Sequence, residues 1–158
     1  MFMTDLRMLF NELIRFEIEL WNAIDARLRS EYDLPLTWFE PMQVIAHRES
    51  CRVNDIAEEL VITVGGASKL VDRIEASGLC RRRANPADGR SSIIELTTAG
   101  RNLLDDATET LEDELAKRLG SAVSAQSLRQ FSETLSRLRI ANNGTNTIGT
   151  NHRQRAGG

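Results

Sequence analysis

The sequence predicts a mainly α-helical chain carrying one small β-hairpin, and three observations predict it. Residues 52–78 read as two helices joined by a tight turn, the second closed by Gly78 in the position that ends helices. Residues 79–96 follow at once as a basic hairpin. Long amphipathic segments, 5–30 and 98–141, flank this unit on both sides. A helix pair followed by a β-ribbon is the layout of a winged helix-turn-helix, here set between long terminal helices.

At 158 residues the chain is long enough for one well-cored domain and short for two. The expected organisation is a single domain over 1–141 and a polar, flexible tail over 142–158. Within the domain, 37–97 form the winged lobe, and 5–30 and 98–141 form the long helices. No apolar run approaches the ~18–20 residues of a membrane span, and the first residues lack a secretory pattern, so a cytoplasmic location is expected. The net charge of −3 hides a strong local asymmetry. Residues 1–60 carry six basic side chains against twelve acidic ones, whereas 61–101 carry seven against four. Local sign decides whether a surface meets phosphates, so the hairpin region is the candidate contact.

The first helix shows apolar positions at Leu6, Leu9, Phe10, Leu13, Leu20, Ile24 and Leu28, with Ile14, Ile18 and Trp21 on a neighbouring face. A helix apolar on more than one face needs more than one neighbour. It is either caught between its own domain and a second subunit or central to a monomeric core. Asp33-Leu-Pro-Leu breaks the helix. Thr37 and Glu40 then have capping-box spacing, with Pro41 falling in the first turn of a second helix that runs to about Glu49. Asn54 is the expected cap of a third helix, which turns inward Ile56, Ala57 and Leu60. Val61-Ile62 is the turn and Thr63 the cap of a fourth helix, buried along Ala67, Leu70, Val71 and Ile74.

Strands are expected at about 79–84 and 91–96 around the turn Asn85-Pro-Ala-Asp-Gly89. Thr97 or Thr98 caps a fifth helix with Leu104, Ala107, Leu111, Leu115 and Leu119 at helical spacing, and Gly120 stops it. Ser124 starts a sixth helix with Leu128, Phe131, Leu135 and Leu138 expected inward.

This order of elements resembles the MarR family of bacterial transcription regulators. The specific match runs from Lys69-Leu-Val-Asp-Arg-Ile-Glu-Ala-Ser-Gly-Leu79 through Arg82-Arg-Ala-Asn-Pro-Ala-Asp-Gly-Arg90 to Leu96-Thr-Thr-Ala-Gly100. In that family the wing typically reads Asp-Pro-x-Asp-x-Arg, followed by Leu-Thr-x-x-Gly. Here Asn85 replaces the first aspartate, while Pro86, Asp88 and Arg90 hold their places. The resemblance implies a homodimer with interlocked terminal helices, two winged lobes on a palindromic operator, and repression of transcription.

The start of the fourth helix is then expected in the major groove of double-stranded DNA. Gly65 and Gly66 allow close backbone approach, or else mark a poorly formed helix start. Thr63 and Ser68 offer hydroxyls, and Lys69 a mobile charge. Arg73 either reaches DNA or pairs with Asp72 or Glu75. Arg90, at the wing tip, suits a narrow and electronegative minor groove, with Asp88 orienting it or bracing the turn. Strand alternation sends Arg82 to one face and Arg81 and Arg83 to the other. Arg82 and Arg83 are expected on phosphates, with solvated guards of an exposed strand edge as the competing role.

Family members commonly respond to small aromatic or anionic effectors. Arg15, Trp21, Trp38, Phe39 and His47 are the possible liners of such a pocket, plain core being the alternative for the aromatics. Cys51 and Cys80 are too few for a disulfide framework and lack metal-ligand spacing. They are either reactive thiols of a redox-sensing regulator or buried and inert. No enzyme, cofactor or metal site is expected: His47 and His152 are the only histidines, and nothing matches a phosphate loop or zinc motif. A DNA-free protein-interaction module on the same fold is the remaining alternative.

Overall fold

The computed structural model describes residues 5–143. The last helix runs to Asn143, so Asn142 and Asn143 are helical where a tail is expected; the rest of that expected tail, His152 and its arginines included, lies outside the described residues. The element order is α1 (Leu6–Tyr32), α2 (Leu36–His47), α3 (Val53–Leu60), α4 (Val64–Ala76), β1 (Cys80–Ala84), β2 (Ser92–Leu96), α5 (Thr98–Leu115), a π-helical turn (Ala116–Gly120) and α6 (Ala125–Asn143). Among the described residues no helix is long and apolar enough to cross a membrane.

Two expected caps are corrected. Helix α2 begins at Leu36, so Thr37 lies inside it and is not its cap. Its first N–H is met from another element, the Leu36 amide donating to Asp25 Oδ1 of α1 at 2.9 Å. Pro41 accordingly stands at the sixth helical position, where its missing N–H cannot donate to the Thr37 carbonyl four residues back. Helix α3 begins at Val53, which places Asn54 inside the helix. There Asp55 reaches back to accept the Arg52 amide at 2.8 Å. Thr63 caps α4 as expected, its hydroxyl accepting the Gly66 N–H at 3.0 Å.

The core gathers where α1, α2, α3, α4, α5 and β2 meet. Leu28, Phe39, Met42, Ile56, Val71, Ile74 and Ile94 are fully buried there. Helix α5 lies against α1 through polar contacts. Arg27 bonds Asp113 at 2.7 Å, Glu114 at 2.8 Å and Glu31 at 3.0 Å, and the Tyr32 hydroxyl lies 2.7 Å from Thr110 Oγ1. The hairpin is antiparallel with Cys80 opposite Leu96 and Arg82 opposite Ile94. It is stitched to the lobe by the Ile94 amide, which donates to the Cys51 carbonyl at 2.7 Å.

The end helices do not close on this core. In α1 only Ile24 and Leu28 are fully buried, while Leu6, Met8, Leu9, Phe10 and Phe16 are exposed. Helix α6 buries no residue. The inward positions expected for Phe131, Leu135 and Leu138 are therefore corrected: they are exposed, and Leu128 is only half-buried. Periodicity marks which face is apolar, but nothing among the described residues covers that face.

The Thr97–Gly100 junction locks α5 to the end of α4. Gly78, at φ +77°, reverses the chain after α4. The Thr97 hydroxyl donates to the Gly78 carbonyl at 2.7 Å and accepts the Gly100 N–H at 3.0 Å, while the Thr97 amide donates to Leu79 O at 3.0 Å. A β-carbon on Gly100 would collide with the Leu79 carbonyl, a backbone atom that cannot swing aside. Gly100→Ala is expected to lower unfolding stability by about 2 kcal/mol or more, despite alanine's better helix propensity. A urea titration checks this, and unchanged stability would show that the junction is loose.

Candidate nucleic-acid interface

Helix α4 and the hairpin are joined by one guanidinium. Alternation along β1 turns Arg82 back toward α4, where it bonds Asp72 Oδ1 at 2.7 Å and Glu75 Oε1 at 3.0 Å. Its own amide donates to Glu75 Oε2 at 2.9 Å. The side chain is only 24% exposed. In sequence, Asp72 or Glu75 is an expected partner of Arg73 if that side chain does not reach DNA. The structure gives both to Arg82, across a chain reversal that no helical spacing reveals.

The other strand arginines face the opposite way, as alternation predicts. Arg81 bonds Glu95 at 3.3 Å, and Arg83 pairs with the same carboxylate. The hydrogen bond from Arg81, with Arg83 adding to it, holds the Glu95 carboxyl below its ordinary range against the opposing effect of burial. At the turn, the Arg90 amide donates to Asp88 Oδ1 at 2.9 Å, so Asp88 braces the backbone of the loop. Asn85 accepts the Ala87 amide at 3.0 Å and donates from Nδ2 to Ser91 Oγ at 3.0 Å. Its amide supplies donor and acceptor together, which accounts for asparagine in the place of the family's aspartate.

Three cations remain. Lys69, Arg73 and Arg90 are exposed, and among the described residues they enter no ion pair. Gly65 and Lys69, four residues apart, share the outward face of α4, and a β-carbon at Gly65 would meet nothing within 4 Å. Thr63 is exposed, while Gly66 and Ser68 are half-buried.

The five possible effector liners are not drawn around the cavity of about 260 Å³ beside the wing. That cavity is lined by Ile45, Arg48, Arg83, Ile94, Glu95 and Arg101 among others. Phe39 is a core side chain, Trp21 and Trp38 pack against the core, and Arg15 and His47 are exposed. Arg48 and Arg83 at the cavity rim are balanced by Glu59 and Glu95. Among the described residues, no group of three His, Cys, Asp or Glu side chains is placed to hold a metal ion.

Both cysteines are buried free thiols. Burial, followed by nearby Asp55, pushes the Cys51 thiol up to about 11. Burial, followed by Glu75, does the same to Cys80, also to about 11. These thiols are poor nucleophiles at neutral pH. The folded chain thus holds both protons more tightly than the unfolded chain, whose thiols titrate near 9.0. Stability is expected to be unaffected by them below about pH 9 and to fall as pH rises toward about 11. Urea midpoints from pH 8 to 11 test this. The double variant Cys51→Ala, Cys80→Ala should lose part of the alkaline decline, and an identical decline would exclude the thiols as its source.

Capped helix, braced hairpin and helix-turn-helix define a winged helix-turn-helix protein. Residues 32–91 match the family model described as MarR family. Over that segment the chain is similar to the MarR family. The chain is 25% identical over 100 residues to the transcriptional regulator YdgJ of Bacillus subtilis, covering 63% of this chain and 60% of that protein, less than two thirds of its length. It is 25% identical over 123 residues to the multiple antibiotic resistance protein MarR of Escherichia coli, covering 74% of this chain and 85% of that one. The fold matches that of Sco3205, a MarR family regulator from Streptomyces coelicolor solved in complex with DNA, with a TM-score of 0.80, 20% identity, and coverage of 93% of this chain and 92% of that one.

Proposed function

We propose that this chain is a transcription regulator that binds a palindromic operator in double-stranded DNA as a homodimer and represses by occupying it. The observation that carries the reading is the braced α4–hairpin unit. It keeps its ion-paired arginines for internal support and leaves Lys69, Arg73 and Arg90 unpaired on the same unit as the open backbone at Gly65. Sco3205, which shares the fold, is described as a complex with DNA, which supports the same partner here.

In this reading the start of α4 enters the major groove. Gly65 and Gly66 bring the backbone close, Ser68 and Lys69 meet base edges, and the Thr63 hydroxyl keeps its proton for a phosphate. Arg90 enters the minor groove from a turn held by Asp88. Arg83 shares its charge with Glu95, and Arg82 is a brace in place of the phosphate contact expected from sequence. The uncovered apolar faces of α1 and α6 pair with those of a second chain, making 5–30 and 98–141 the dimer-forming segments and 37–97 the reading lobe. Two lobes related by a two-fold axis imply half-sites about one helical turn apart.

Selection of bound duplexes from a random library should return such an inverted repeat, with affinity falling steeply as salt rises. Arg90→Ala should weaken binding about tenfold or more while the protein still melts and sediments as the wild-type dimer. No enrichment, or a salt-insensitive interaction, would favour a protein-interaction module, and unchanged affinity of Arg90→Ala would remove the wing from the contact.

A further inference from the structure

Val64 opens α4 and is 52% exposed, on the outward side of the helix that also carries Lys69. Nothing in the fold requires a valine there. The helix start is already fixed by the Thr63 cap on Gly66. The apolar contact that commonly steadies a helix entry joins the residue before the cap to the fourth helical residue. Here those residues are Ile62 and Ala67, both buried, so Val64 is not part of that contact. As a β-branched residue it also forms helix less readily than alanine.

The neighbouring turn repeats the pattern. Val61 is 55% exposed and sits at φ +55°, left-handed backbone in which a β-branched side chain is a true outlier. Asparagine or glycine would hold that turn with less strain. Two exposed valines, one of them strained, thus edge the entrance to α4.

The polar inventory of the helix narrows what this edge can do. On the outward side stand Val64, Gly65, Gly66, Ser68, Lys69, Asp72 and Arg73. Asp72 is engaged by Arg82. Helix α4 contains no asparagine or glutamine, the side chains that bond both edge groups of adenine. Lysine can bond guanine O6 and N7, and serine discriminates weakly. The major-groove feature left for an isopropyl group is the 5-methyl of thymine, which apolar side chains recognise by contact.

We infer that Val64 is a specificity-determining residue that reads a thymine 5-methyl group in each half-site, with Val61 extending the apolar edge. The inference rests on the DNA-binding reading above and deepens it by naming the base.

The test uses the full chain and a duplex obtained by selection. Each thymine in the enriched half-site is replaced in turn by deoxyuridine, which removes the methyl group and keeps base pairing. Wild-type affinity should fall about fourfold at one position and stay level at the others, the loss expected for one buried carbon. Val64→Ala, which removes the two methyl groups of a half-exposed residue, should bind the thymine duplex about as weakly as wild type binds the uracil duplex. It should also no longer distinguish the two. A wild-type protein indifferent to every substitution, a selected site without a fixed thymine, or a Val64→Ala variant that keeps the preference each overturns the inference while leaving DNA binding intact. Failure to enrich any duplex overturns the DNA reading itself, and this inference with it.

Discussion

The bond set at Arg82 is the constraint on which the rest of the reading surface depends. Exposed ion pairs commonly contribute little to stability. This one is a three-point contact: two carboxylates of α4 on one guanidinium, and one of those carboxylates also on the Arg82 amide. It stops the hairpin from twisting relative to α4, so that the helix start and the wing tip keep one spacing. Gly78 supplies the reversal that brings β1 back along the helix, and the Thr97–Gly100 junction seats α5 against the same reversal. The bond from Ile94 to Cys51 ties the far strand to the lobe. Stability and function therefore draw on the same few contacts.

The same pairing explains how a chain of net charge −3 can present a cationic face. Asp72, Glu75 and Glu95 absorb the arginines of β1, while Asp113, Glu114 and Glu31 hold Arg27 far from the wing. The hydrogen bonds from Lys117 and then Arg27 keep the Asp113 carboxyl below its ordinary range. On α4 and the hairpin, what remains unpaired is Lys69 near the helix start, Arg73 in its last turn and Arg90 at the wing tip. An acidic remainder repels phosphates, so the field of the whole molecule favours one orientation on a duplex.

Much of this was legible in the sequence. The order of helices, the turn at Val61, the Thr63 cap, the strand pair and the Gly78 reversal follow from local spacing and from residues with few conformational options. The cap of α2 differs from the expected one because its partner, Asp25, lies on another helix, whereas at α3 Asp55 of the same helix reaches back three residues to the Arg52 amide, a local pairing that the choice of Asn54 as cap passed over. The apolar stripe of α6 was legible as a stripe, but the neighbour that covers it is not written in the stripe. At the candidate interface, alternation placed Arg82 on the face opposite Arg81 and Arg83. Its commitment to Glu75 depends on how tightly the chain doubles back at Gly78, a distance that composition and periodicity do not encode.

The account turns on whether Arg82 braces the helix and wing or meets DNA itself, and a double-mutant cycle on operator affinity separates the two. Glu75→Ala, Arg82→Ala and the double variant would be measured against the same selected duplex at one salt concentration. If Arg82 is a brace, each single change weakens binding by a similar factor, and the double variant is no weaker than either. If Glu75→Ala binds as tightly as wild type or tighter, as loss of an acid beside a phosphate contact would produce, while Arg82→Ala alone weakens binding, Arg82 contacts DNA and the brace is not what holds the reading surface together.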